Sequence, residues 1–317
     1  MLKYILKRIL LMIPVILGVV ILVFTLMQLT PGDPAQVILG PTATSEQINE
    51  LRNEMGLNDP YIVQLGRYLY QVFLKGDFGT SYISNISITT ELMQRFPKTL
   101  IFAVAGMVLS LGIGIPLGVN AAVKQNSLAD YGSMTLALIG TSMPGFWFAL
   151  VLILLFSAKL GWLPAYGTGG LKYWILPIAS TAFAGITTMA RQVRSGMLEV
   201  INSDYITMAK SKGVSKKNVI YRHALPNALI PVITVAGMSF GSSLGGTLIA
   251  ETIFSIPGVG VYIVNAVNNR DYPVVQGGVI LLAVAFSLIM LACDLLMAAI
   301  DPRIKAQITG GKKRGKK

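Results

Sequence analysis

The chain has 317 residues, 53% of them hydrophobic and only 13% charged, with a mean hydropathy of +0.65. A soluble domain carries about 25% charged residues, so this composition excludes an ordinary water-soluble globule and marks an all-α integral membrane protein. The formal net charge of +12 follows from topology: with the N-terminus inside, the cytoplasmic segments hold 18 of the 26 Lys and Arg, as the positive-inside tendency requires. Nucleic-acid binding is therefore not needed to account for it.

Residues 1–29 form a cytoplasmic N-terminus and a first transmembrane helix. Their basic start and apolar run resemble a signal peptide, but the run is too long and no small-residue cleavage site follows. Residues 30–98 are expected to make a small outer helical lobe. Thr44 with Gln47 fits a capping box, residues 45–55 read as a helix, and Gly56 ends it. Asp59 and Pro60 read as N-cap and first helical position of a second helix. Its expected inner face carries Ile62, Leu65, Leu69, Val72 and Phe73 up to Gly76. Such a lobe either covers the bundle or receives a partner.

Residues 99–300 hold five further apolar runs, at roughly 99–123, 133–158, 173–190, 229–250 and 278–300. With the first run, at 9–29, each is near the ~20 residues that span a bilayer, giving six transmembrane helices. Pro14, Pro116, Pro144, Pro177 and Pro231 in or beside these runs imply kinked, packed helices. Residues 251–277 face outward, with a turn at 255–260 and an amphipathic stretch after it. Cys293 is the sole cysteine and His223 the sole histidine, so neither an internal disulfide nor a transition-metal cluster is expected. Asp294 reads as a packing or interfacial carboxylate, with a functional role as the alternative. The basic tail, 301–317, reads as a disordered cytoplasmic segment near anionic lipid.

The cytoplasmic segment 191–228 is strongly basic yet patterned like a folded hairpin. Ser203 or Asn202 can cap a helix starting at Asp204, an acid in the first turn. Tyr205, Ile206, Met208 and Ala209 give it an apolar side, Lys210 and Lys212 suit its C-terminal dipole, and Gly213 supplies a left-handed stop. Ser215 then caps a second helix carrying Val219, Ile220 and Ala224, and the Leu225–Pro226–Asn227 sequence is expected to turn the chain into the fifth span. A basic amphipathic anchor on the membrane is the alternative. A sharp glycine corner suits a knob that fits a cleft better than it suits an anchor.

No H-E-x-x-H, G-x-S-x-G or paired intramembrane carboxylates occur, which leaves catalysis unsupported. No phosphate loop occurs either, so ATP is not expected to bind by that route, and no cofactor is expected in this chain.

From Ala209 to Gly213 and on to Leu225 and Pro226, the spacing resembles the E-A-A-x-x-x-G-x9-I-x-L-P loop of ABC importer permeases. Thr207, Met208 and His223 depart from that general signature. "DYITMAKSKG" with "RHALPNALIPVIT" is nevertheless similar to the variant of the dipeptide/oligopeptide permease family. "LTPGDPA", "GDFGTSY", "TSMPGFWFALVLI", "ETIFSIPGVG", "RDYPVVQGGVILLA" and "DPRI" extend the resemblance over nearly the whole chain. The resemblance implies a type I ABC importer permease fold in a prokaryotic plasma (inner) membrane, with both termini cytoplasmic. It makes residues 203–226 a coupling element, with Asp204, Tyr205, Ala209, Lys210, Lys212, Gly213, Leu225 and Pro226 at the ATPase contact. It also implies four kinds of partner: a second homologous permease, two ATP-binding subunits that carry ATP and Mg, an extracytoplasmic peptide-binding protein, and lipid. By the same resemblance, the large outer lobe looks like that of the first permease of such a pair. Permeases for nickel chelates, heme or another small cargo share these features, and an ion-coupled secondary transporter is the alternative of a different class.

Overall fold

A computed structural model describes residues 2–300, and among them every regular element is helical apart from one isolated bridge between Thr80 and Ser87. In order they are α1 (Leu2–Leu29), α2 (Pro34–Leu39), α3 (Ser45–Glu54), α4 (Tyr61–Tyr70), α5 (Ile88–Val123), α6 (Leu128–Ser142) and α7 (Gly145–Leu152). After them come α8 (Lys172–Ile201), α9 (Asp204–Ser211), α10 (Lys216–Asn218), α11 (Leu225–Ile253), α12 (Val259–Asn268) and α13 (Tyr272–Ile300). The basic tail expected at 301–317 lies outside the described residues.

Among the described residues, five helices are long and apolar enough to cross a membrane: α1, α5, α8, the helix running from Lys216 through α11, and α13. The apolar run at 133–158 is not one unbroken helix. It is a pair, α6 and then α7 with a π-helical continuation at Ile153–Lys159, bent by 103°. Pro144 explains the break: it disfavours the helical region for the residue before it, and Met143 is extended at ψ 127.

Two compact units can be separated, one built mainly from Leu100–Ile256 with residues 288–300, the other from Lys7–Thr99 and Pro257–Ser287. In the first, α8 packs against α6, α7 and α11. It also meets α5 through Gly114 and Gly118, four residues apart on one face. A Cβ on Gly118 would lie 2.5 Å from the Ala190 carbonyl oxygen, so only glycine lets the two backbones approach this closely.

In the second unit α3 carries the expected capping box: Gln47 N–H donates to Thr44 Oγ1 at 3.3 Å and Thr44 N–H to Gln47 Oε1 at 3.0 Å. Gly56, at φ +65, closes it with a Schellman pair, Leu57 N–H to Arg52 O and Gly56 N–H to Asn53 O. The next start differs from expectation, because Pro60 occupies the cap position and the Asp59 carboxylate pairs with Arg67. The inner face differs too. Ile62 is 73% exposed, whereas Val72 is buried, with Tyr68 and Leu69 packed beside it against Val20 and Ile280. Farther along, Ser81 Oγ–H and Tyr82 N–H both donate to the buried Asp271 carboxylate, pinning the 78–87 loop to the start of α13. Burial, with that carboxylate beside it, pushes the Tyr82 phenol up to about 12.

Candidate functional site

The hairpin begins where α8 ends. Ser203 stands at the N-cap position of α9, but its hydroxyl donates backward to Val200 O at 2.6 Å, and Asn202 Nδ2 donates to Leu198 O. The two residues expected to cap α9 therefore satisfy the last carbonyls of α8 instead. Ser215 likewise occupies the N-cap of α10 without a side-chain bond.

Gly213 does what its position requires. At φ +77 it donates its N–H to Lys210 O while Val214 N–H reaches Ala209 O, the double closure of a Schellman motif. From Lys216 the helix then runs into α11 without the turn expected at Leu225–Pro226–Asn227. Pro226 has no N–H and its ring crowds the preceding turn. The backbone answers with a π segment at Val219–Ala224, where Leu225 N–H reaches Ile220 O, and Asn227 Nδ2 takes the His223 carbonyl. Proline here widens a helix instead of ending it.

The hairpin has one built-in face and one free face. Ile206, Val219 and Ala224 are buried in a cluster with Val119 of α5, Met189, Val193 and Met197 of α8, and Ala228 and Val232 of α11. Asp204, Tyr205, Lys210, Lys212, Gly213 and Pro226 are exposed, while Ala209 and Leu225 are half-buried behind them. Of the expected apolar side of α9, only Ile206 is fully buried. Tyr205 and Met208 point outward, as does Tyr221 of the π segment, at 46%, 59% and 57% exposure. An acidic first turn, two lysines and three large apolar side chains on one rigid mount are suited to docking on another protein.

Two features were not anticipated from sequence. Arg194 of α8 donates from Nε and Nη2 to the Asp130 carboxylate at 2.6 and 2.8 Å, and Asn126 N–H donates to the same group at 3.0 Å. This fork ties the start of α6 to α8 two turns before the hairpin. The second is a cavity of about 660 Å³ bounded by α5, α7, α8 and α11. Hydroxyls of Ser110, Thr181, Thr188, Ser239, Ser242 and Ser243 stand on its wall, and among the described residues no Asp, Glu, Lys or Arg lines it. Spaced Ser and Thr within apolar helices were the available signal, but such residues also bond back to their own helix. Thr188 Oγ1, for one, donates to Ala184 O. A wall of this kind can hydrogen-bond amides without attracting a bare ion.

Comparison with known proteins gives consistent findings. Residues 1–103 match the N-terminal part of the membrane component of binding-protein-dependent transport systems, and residues 114–306 match the binding-protein-dependent transport system inner membrane component. The dipeptide transport system permease protein DppB of Alkalihalophilus pseudofirmus is 44% identical over 96% of this chain and 100% of its own length. The glutathione transport system permease protein GsiC of Salmonella paratyphi A is 43% identical over 96% and 99%. Among solved structures, the inward-facing MetNI methionine ABC transporter is similar in fold, with a TM-score of 0.57 at 18% identity over 67% of this chain and 97% of that one.

Proposed function

The chain belongs to the family of binding-protein-dependent transport system inner membrane components, and from that premise we propose that it is the permease of an ATP-driven importer of dipeptides and short oligopeptides. The observation that carries the cargo class is full-length similarity to relatives named for dipeptide and glutathione transport. The hydroxyl-lined cavity agrees with it, since peptide amides can be exchanged along such a wall while an ion finds no countercharge.

In this reading the chain forms half of the translocation path, with a second related permease forming the other half. Residues 203–226 seat on one of two cytoplasmic ATPases, which hold ATP and Mg. An extracytoplasmic binding protein delivers peptide to the outer face. Closure of the ATPases moves the hairpin, and because Ile206, Val219 and Ala224 are packed on α8 and α11, that motion passes directly to the walls of the cavity.

The test is uptake of a labelled dipeptide into proteoliposomes holding this chain, its partner permease, the ATPases and the binding protein. ATP-dependent uptake is expected, stopped by blocking hydrolysis. Gly213→Val should abolish it while leaving membrane insertion near normal, because a β-branched residue is strained at φ +77. Uptake that follows an ion gradient without nucleotide, or normal uptake by the valine variant, would overturn the reading.

A further inference from the structure

The unit built from Lys7–Thr99 and Pro257–Ser287 carries a second, open cavity, of about 500 Å³, walled by the end of α1, by α2 to α4 and by the first turns of α13. Its chemistry differs from that of the hydroxyl-lined cavity. One ion pair stands on its wall, Arg52 with Asp33 at 2.8 Å, and so does a second guanidinium, that of Arg67, whose carboxylate partner Asp59 lies off the wall. Tyr68 and Tyr272 line it as well, and each buries its hydroxyl with no hydrogen-bond partner among the described residues. Tyr272 is only 7% exposed. Buried hydroxyls in folded proteins are almost always bonded. Two orphans on one wall, with a pair of opposite charge and a second guanidinium on the same wall, form an arrangement that a ligand with both charges and polar atoms between them would complete.

We propose that this cavity binds a short zwitterionic peptide. Arg52 and Arg67 take its carboxylate, Asp33 its ammonium group, and the hydroxyls of Tyr68 and Tyr272 its amide groups. A guanidinium has five N–H donors, and Arg67 gives one of them to Asp59, which leaves a fork for a second carboxylate. The volume lies within the range of small-molecule sites, roughly 300–1,000 Å³. The proposal rests on the peptide reading above for its ligand class, and adds a site on this chain at which peptide is held apart from the binding protein and apart from the transmembrane cavity.

The experiment is equilibrium binding of labelled alanyl-alanine to the full-length chain with its partner permease in lipid nanodiscs, with no binding protein and no nucleotide. Saturable binding is expected, and N-acetyl-alanyl-alanine amide, which lacks both charges, should not compete. Tyr272→Phe, which removes only the hydroxyl, should weaken binding about tenfold at unchanged thermal stability, and Arg67→Gln should weaken it further. Binding that ignores both substitutions, or that is lost only with Ser242→Ala in the transmembrane cavity, overturns the site. If the complete transporter imports the dipeptide but the permease pair shows no saturable binding, the site falls and the import reading stands. If binding depends on Tyr272 but the complete transporter does not import the dipeptide, the site stands and the import reading falls.

Discussion

At the scale of single residues, the Asp130–Arg194 fork is where sequence reading reached least far. An Asp after a short polar loop and an Arg inside a long helix are each unremarkable, and 64 positions separate them. Only folding reveals that Asp130 is 1% exposed and takes three donors. Removing Arg194 would leave a buried carboxylate with Asn126 N–H as its remaining donor. Breaking a buried pair in this way costs about 3–5 kcal/mol, and the lower figure suits a guanidinium that keeps 26% of its side chain exposed. Arg194→Ala should therefore lower the unfolding midpoint of the detergent-solubilised protein markedly, and Arg194→Lys less so, since an ammonium holds charge without the fork. An unchanged midpoint in the alanine variant would mean that water replaces the guanidinium at no cost. Gly213, by contrast, was legible from spacing alone, because a glycine directly after a basic helical turn is the usual left-handed stop.

At the scale of elements, the apolar runs were read correctly as helices, because length and hydropathy alone distinguish a bilayer-spanning segment. Their internal shape was legible only in part: Pro144 signalled a kink, but not a bend of 103°. Hydropathy has no direction, so a run broken at Met143–Pro144 scores like a straight one. The π segment before Pro226 has no signature separate from the proline itself, which is equally compatible with a turn. Contacts between helices were likewise hidden: the α5 sequence around Gly114 and Gly118 reads as generic membrane glycine until Ala190 is seen against it. Gly118→Leu should force α5 and α8 apart, since the clash is with backbone and with Val193 and no flexible side-chain tip can yield. The expected result is a sharp fall in folded, monodisperse protein on size-exclusion chromatography, while Gly132→Ala, which meets nothing within 4 Å, behaves as wild type. Normal yield of the leucine variant would show that the two helices can separate without loss of fold.

At the scale of the whole molecule, the orientation we propose rests on the Lys and Arg distribution. In a Cys293→Ala background, a membrane-impermeant thiol reagent should label a cysteine placed at Ser45 in intact cells and should not reach one placed at Ser215. Both positions are exposed, so a reversed pattern would report inverted topology and not burial.

The helix from Lys216 to Gly245 is unbroken over 30 residues, a rod of ~45 Å at the usual rise per residue. Its near end carries the hairpin's lysines, and Ser239, Ser242 and Ser243 on the cavity wall ride near its far end. A rod of that length acts as a lever: pivoted near one end, a tilt of about 10° sweeps the other through ~8 Å. That is more than the width of a peptide backbone. Under the proposed coupling, a small rotation imposed on the basic end would thus be sufficient to carry a row of hydroxyls across the width of a peptide, with no side chain changing rotamer.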